Sequence, residues 1–339
     1  MIGSSAGGVQ ALAQLAAALP PDLPAPMVIV QHFPPHSISR LPEIVARAGK
    51  MPAVHAKHGQ QMEAGTIYVA PPDQHVLIQR SGLEVTVGPR ENRHLPAVYP
   101  LFRSAAAAYG SRVIGVILSG TLGDGSAGLN TIKLRGGVTI VQDPLDAAYS
   151  GMPQNAIEAV DVDHIVPLSE LAELLTRLVS EPPQGPEDFT MSEDDIAENA
   201  SDRLEYAGVE PRVPGDPSIF TCPDCRGTLW EIKEGGLLRY RCRVGHAFST
   251  EGLVGAQAQE VEAALYAALR TLEEHLSLTD RMRRRALEHG HRLIVARLEE
   301  SIEELHNRTS LLRKVLEHGR TWHDPGSTEH AQSVDGVQA

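Results

Sequence analysis

The chain has 339 residues, 42% of them hydrophobic and 22% charged, enough for about two domains with buried cores. Its formal net charge of −13 argues against nonspecific attachment to nucleic acid or anionic lipid. No apolar run approaches the ~20 residues of a membrane span, and no basic, apolar signal-peptide pattern opens the chain, so a cytoplasmic location without direct membrane insertion is expected.

The first letters are MIGSSAGGVQAL. Gly3 to Gly7 fit G-x-S-x-G with Ser5 at the centre, the pattern of a nucleophile elbow, in which glycines let a serine sit on a sharp strand-to-helix turn. A Gly/Ser turn before a helix also suits a phosphate site or an ordinary N-cap, and Ser4 fits the cap role equally well. Next come a helical stretch at 8–19 and β-branched runs at 26–33 and 65–72. A hairpin pattern spans 75–88 and is expected to turn at Ser81-Gly82. Long apolar strands are expected at 111–120 and 136–143. This alternation over residues 1–180 predicts an α/β domain: a doubly wound, mostly parallel sheet with helices on both faces. Active sites of such sheets form at the carboxyl ends of the strands.

Three candidates fall at such ends. A serine hydroxyl needs a base, and the base needs an orienting partner. His32 follows the strand MVIVQ, and Asp124 lies in the glycine-rich loop LSGTLGDGSAG after another buried strand. That loop can also turn backbone N–H groups toward a developing oxyanion. His36 and His75 are weaker alternative bases, and Asp143 is a weaker alternative acid.

Beyond residue 180 the composition changes. Residues 181–217 hold eleven acidic and two basic side chains and several prolines, and read as a flexible acidic linker, with one short helix around 191–206. Residues 218–250 form a compact zinc-ribbon-like pattern. All three cysteines of the chain lie here, and C-x2-C-x16-C-x3-H names Cys222, Cys225, Cys242 and His246 as a Cys3His set suited to structural zinc. The EGG stretch at 234–236 would turn the hairpin between the two ligand pairs; the bland alternative is three unrelated reduced thiols. Residues 251–318 carry two apolar series at helical spacing. Val261, Leu265, Leu269, Leu272 and Leu276 form one. Leu298, Ile302, Leu305, Thr309, Leu312 and Leu316 form the other. With Gly290 between them they predict an antiparallel helix pair. RMRRRALEHGHR reads as a solvated helix end rather than a membrane or calmodulin-type segment. A disordered tail is expected over 319–339.

Seven blocks then carry a resemblance: IGSSAGG, VIVQHFPP, GTIYVAPPDQHVLI, HLPAVYPLFRSAA, GVILSGTLGDGSAGL, GGVTIVQDP and SGMPQNAI, in this order. Together they resemble the catalytic domain of the CheB-type protein-glutamate methylesterases of bacterial chemotaxis, over residues 1–180. The resemblance implies a serine nucleophile at Ser5, a histidine at His32 and an aspartate at Asp124. It also implies an oxyanion hole from backbone N–H groups near Ala6 and Thr121. The implied reaction is hydrolysis of glutamate γ-methyl esters on the cytoplasmic helices of chemoreceptors, releasing methanol without a catalytic cofactor. The ribbon and helix pair would then dimerise or dock to a receptor, sensor kinase or other receptor-complex protein. Nucleic acid is not an expected partner.

Four departures from the family pattern stand out. The usual phosphorylatable receiver domain is not in this chain. Almost none of the strand expected to support the Ser5 turn precedes it, so either an upstream start or a poorly anchored elbow is expected. The usual GAST is GSSA, which leaves the backbone N–H of Ala6 intact. The usual methionine of the aspartate loop is Thr121, which points to altered substrate fit. The alternative function is a catalytically degenerate adaptor that binds methylated receptor helices and recruits partners through its zinc and helical parts.

Overall fold

The computed structural model describes residues 1–183, 198 and 215–318. These fall into two compact units, Met1–Leu253 and Val254 onward. The expected helix around 191–206 and the tail at 319–339 lie outside the described residues, except for Glu198.

A seven-stranded parallel sheet centres the first unit. Its strands are β1 (Ile2–Ser4), β2 (Met27–Gln31), β3 (Ala53–His55), β4 (Ile67–Val69), β7 (Ile114–Ile117), β8 (Val138–Gln142) and β9 (His164–Val166), in the order β3-β4-β2-β1-β7-β8-β9. β-Branched runs give the central strands, and alternate side chains enter two separate cores. Ile29, Val116, Leu118 and Ile140 join the face covered by α1 (Gly8–Ala18), α2 (Leu41–Ala48) and α6 (Leu168–Leu178). Val28, Val30, Ile117 and Val141 join the face covered by α3 (Val98–Tyr109), α4 (Ser126–Leu134) and α5 (Gly151–Ala159). This is the doubly wound α/β class expected from the alternation of patterns.

β1 is only three residues long, yet it is buried and paired on both sides: Ile2 opposite Ile29 and Val116, Gly3 opposite Val30 and Ile117, Ser4 opposite Gln31. It stands at the centre of the sheet, where the chain first winds outward to β2, β4 and β3 and later returns to β7. Such a reversal opens a crevice at the strand ends. The separate hairpin of β5 (His75–Gln79) and β6 (Gly82–Thr86) pairs Gln79 with Gly82. Its turn is therefore Arg80-Ser81, one residue earlier than expected, and Gly82, with φ +127°, begins the return strand.

The ribbon is a four-stranded antiparallel sheet of β10 (Asp216–Thr221), β11 (Thr228–Glu234), β12 (Leu237–Cys242) and β13 (Ala247–Ser249). Glu234 pairs with Leu237 across Gly235 and Gly236, whose φ values of 56° and 89° suit a tight primed turn. It belongs to the same compact unit as the parallel sheet. Glu198, from the acidic stretch, is buried here too. It accepts hydrogen bonds from Tyr99 Oη (2.9 Å) and from Arg239, and pairs with Arg103 (3.3 Å) and Arg241 (3.4 Å).

From Val254 the second unit comprises the rest of α7 (Thr250–Glu288) and α8 (Arg292–His318), with Gly290 at φ 71° between them. Ion pairs Arg313–Glu273 (2.6 Å) and Arg283–Glu299 (3.8 Å) fix the two helices antiparallel. Leu305, Thr309, Val295, Thr279 and Ala286 are buried in the seam, whereas Val261 is 43% exposed. Asp280 holds Arg283 and Arg284, so the arginine run is a solvated helix end. No helix among the described residues is long and apolar enough to cross a membrane.

Candidate active site

Strand register brings Ser5 and His32 side by side, and hydrogen bonds bring Asp124 to His32. Ser4 lies opposite Gln31, so Ser5 and His32 are the next residues beyond two neighbouring parallel strands. The His32 N–H donates to Ser4 O (3.0 Å), and the Ser5 N–H donates to Ser119 O (3.0 Å), at the start of the loop that carries Asp124. The turn after β1 needs its glycines. Gly7 has φ +74°, and a Cβ there would lie 2.7 Å from Ser119 Oγ; a Cβ on Gly120 would lie 2.9 Å from Ser5 Cβ.

The two serines separate cleanly. Ser4 is fully buried, and its hydroxyl donates to Gln31 Oε1 (2.8 Å). The Gln31 amide in turn donates to Ser5 O (2.8 Å) and His32 O (2.9 Å). Ser5 is half-buried, and no protein group bonds its hydroxyl among the described residues. Ser4 therefore braces the turn, and Ser5 is presented by it.

His32 Nε2 lies 2.8 Å from Asp124 Oδ2, both side chains being buried. Burial pushes the Asp124 carboxyl up, but the hydrogen bond and charge of His32, the charge of His94 and the Val98 N–H together hold it down at about 2. An ionised Asp124 can only accept, so Nε2 carries a proton, and in the neutral ring Nδ1 then holds a lone pair. That Nδ1 is buried without a hydrogen-bond partner among the described residues. A ring fixed by a carboxylate and left with one open basic nitrogen can take a proton from a nearby hydroxyl.

The backbone N–H groups of Ala6 and Thr121 make no hydrogen bond among the described residues. They lie on the two loops that meet at Ser5, and can serve an oxyanion. The other candidates are placed elsewhere. His75 is fully buried between Pro89 O (2.9 Å) and the Ala97 N–H (3.2 Å). The His36 side chain is 91% exposed beside Asp73, and Asp143 accepts from the Leu145 N–H in a turn. A concavity of about 910 Å³, lined by Met1, Met27, Ile114 and Val138 near the opposite strand ends, includes none of the three residues.

Two neighbours were not visible in the sequence. His94 stacks on His32, with ring centroids 3.6 Å apart and planes at 5°. Burial, then the His32 charge, pushes His94 down to about 3, so it is a neutral ring at physiological pH. Asn92 Nδ2 donates to Asp124 Oδ1 (3.2 Å). The consecutive turn-formers Asn92 and Arg93, at φ 47° and 66°, signal a tight turn, but nothing in the letters says what that turn touches.

In the ribbon, Cys222, Cys225, Cys242 and His246 each offer one ligand atom within 4.8 Å of the others. Cys242 Sγ lies 3.6 Å from both Cys225 Sγ and His246 Nδ1. Ligands about 2.3 Å from a tetrahedral zinc stand roughly 3.8 Å apart, so the spacing fits. The Cys222 hydrogen bond, outweighing burial, holds the Cys242 thiol down at about 3. Two tight knuckles make the set: Cys222 N–H to Gly227 O (2.8 Å) and Cys242 N–H to His246 O (2.9 Å).

Comparison with known proteins matches this architecture. The family described as CheB methylesterase matches residues 1–175. A Leptospira interrogans protein named as a protein-glutamate methylesterase/protein-glutamine glutaminase is 38% identical over 179 residues, 52% of this chain and 93% of that one. An Anaeromyxobacter dehalogenans protein of the same naming is 37% identical over 178 residues, 52% of each chain. The crystal structure of the Thermotoga maritima CheB methylesterase catalytic domain superposes with a TM-score of 0.51 at 33% identity, covering 52% of this chain and 96% of that one. The chain therefore belongs to the CheB methylesterase family of ester hydrolases.

Proposed function

We propose that this protein hydrolyses glutamate γ-methyl esters on the cytoplasmic helices of methylated chemoreceptors. In this reading Ser5 is the nucleophile, His32 the general base and Asp124 the group that holds the imidazole and stabilises its charged form. The observation that carries the reading is the buried His32–Asp124 pair, 2.8 Å apart, with the unpartnered His32 Nδ1 one residue beyond the strand that neighbours Ser5.

Ser5 Oγ attacks the ester carbonyl while its proton passes to His32 Nδ1. The new oxyanion accepts the N–H groups of Ala6 and Thr121. The tetrahedral intermediate collapses, methanol leaves with the proton from His32, and an acyl-Ser5 ester remains. Water, activated by His32, then cleaves that ester and restores the carboxylate and the serine. Cys222, Cys225, Cys242 and His246 would hold zinc away from these steps, and a closed set of four protein ligands would supply folding energy to the ribbon.

Methanol release from methylated receptor tests the reading. Ser5→Ala is expected to lower kcat by on the order of 10³-fold or more. Ser4→Ala should keep most of kcat and instead lose about 1–3 kcal/mol of stability, because Gln31 Oε1 is left buried without its donor. A wild type that binds methylated receptor but releases no methanol would replace the enzyme reading with the adaptor.

A further inference from the structure

One turn ties the ribbon to the His32–Asp124 pair by hydrogen bonds. Residues Glu91 to His94 close on themselves, with the Glu91 N–H donating to His94 O (3.2 Å) and the His94 N–H to Glu91 O (2.8 Å). On its outer side this turn is stitched to β13. The Asn92 N–H donates to Ala247 O (2.7 Å), the Ala247 N–H to Arg90 O (3.3 Å), and the Ser249 N–H to Asn92 Oδ1 (2.8 Å). Arg241, next to Cys242 in sequence, adds a buried pair to Glu91 (3.2 Å). On its inner side the same turn grips both members of the catalytic pair: Asn92 donates to Asp124 Oδ1, and His94 stacks on the His32 ring.

The load on Asn92 is specific. Asp124 Oδ2 receives His32 Nε2 and the Val98 N–H (2.7 Å), whereas among the described residues Oδ1 receives Asn92 alone. Without that amide one oxygen of a fully buried carboxylate lacks a donor, and the carboxylate is free to rotate away from the imidazole. Ala247, in turn, directly follows the ligand His246. Only two hydrogen bonds separate the ribbon's metal knuckle from Asp124: Asn92 N–H to Ala247 O, and Asn92 Nδ2 to Asp124.

We propose that the Cys3His zinc site and the Glu91–His94 turn form a metal-dependent clamp on the His32–Asp124 pair, with Asn92 and His94 as positioning residues. With the knuckle closed, β13 holds Asn92 in its left-handed backbone state and aims its amide at Asp124. When the metal leaves, β13 loses its anchor, the turn relaxes, and the pair loses alignment. Substrate binding does not pass through this path, so the clamp acts on kcat. The inference rests on the esterase and zinc readings above, and its test keeps them apart.

The full chain is prepared zinc-loaded and chelator-stripped, as wild type and as Asn92→Ala. Native mass spectrometry counts the metal, and the imidazole NMR signals of His32 and His94, assigned with His→Gln variants, report the pair independently of turnover. Stripping wild type should shift both signals and lower kcat about tenfold, with KM within about twofold. Loaded Asn92→Ala should lose a similar factor, and stripping it should add less than about twofold, because both changes cut the same path. Stripped wild type with unmoved signals and full kcat overturns the clamp, as do two losses that simply multiply. A chain that takes up no zinc overturns it as well. If the stripped chain unfolds by circular dichroism, loaded Asn92→Ala decides alone, and unchanged kcat with unmoved signals overturns the proposal. If no form releases methanol, the esterase reading fails, while the imidazole signals still decide whether metal and Asn92 hold the pair.

Discussion

In the α/β layer the central strands bury apolar side chains on both faces, Val28, Ile29 and Val30 in turn, and the chemistry stands only at their ends. In the ribbon the packed surface of β12 is charged: Arg239 and Arg241 are 3% and 2% exposed, among Glu91, Glu198, Glu234 and Tyr99. The layer gains stability from area removed from water, which needs no partner of set charge. The ribbon is too small for such a core and relies on four ligands and a closed ion network. A sheet of the first kind places Ser5 and His32 by register, which slips only in whole residues. A contact of the second kind places Asp124 by hydrogen bonds that fail singly. The two halves of the site should therefore fail under different conditions.

The largest effect expected is on the charge network. Glu198→Ala leaves Arg103, Arg239 and Arg241 buried without their shared carboxylate, and should cost about 3–5 kcal/mol in urea unfolding. Ile29→Ala, in the apolar layer, should cost a comparable 2–5 kcal/mol, a figure of about that size being usual for a buried Ile. Acid tells them apart. Burial pushes the Glu198 carboxyl up, but Arg239, Arg241 and Arg103 outweigh it and hold it at about 2, against an ordinary 4.5. The unfolded chain takes up this proton near 4.5 and the folded chain only near 2, so the contribution is full above 4.5 and is lost as pH falls toward 2. The cost of Glu198→Ala should fade across that window, and that of Ile29→Ala should not. Equal pH dependence of the two variants would break the comparison.

This contrast also explains what the letters revealed. Ser5 could be singled out as a candidate by its G-x-S-x-G frame, and His32 and Asp124 because each comes after a β-branched run, whose ends converge in a parallel sheet. The Cys3His set was legible because metal ligands keep fixed local spacing. Asn92 and His94 were not, since their partners lie 32 and 62 residues away, and a short polar turn gives no period to read. Glu198 was hidden for a different reason: a stretch with eleven acidic side chains reads as solvated, and one member that pairs with three buried arginines has no local mark. The three-residue β1 looked too short to anchor an elbow, yet pairing on both sides and complete burial give it what length does not.

The smallest effect expected tests the second unit against both kinds of construction. Its helices bury a narrow seam, with Leu305 at 5% exposure, beneath exposed ion pairs such as Arg313–Glu273, whose side chains are 57% and 45% exposed. An exposed pair loses to solvent screening most of what its distance suggests. Arg313→Ala should therefore cost under about 1 kcal/mol in thermal unfolding of this unit, and the difference from wild type should shrink further in about 1 M salt, where screening acts within a few ångströms. Leu305→Ala should cost several times more and be indifferent to salt, because it opens a gap in the seam. Were Arg313→Ala the costlier of the two, the helix pair would be held by charge, like the ribbon, and its apolar spacing would be a consequence of helix register rather than the source of its stability.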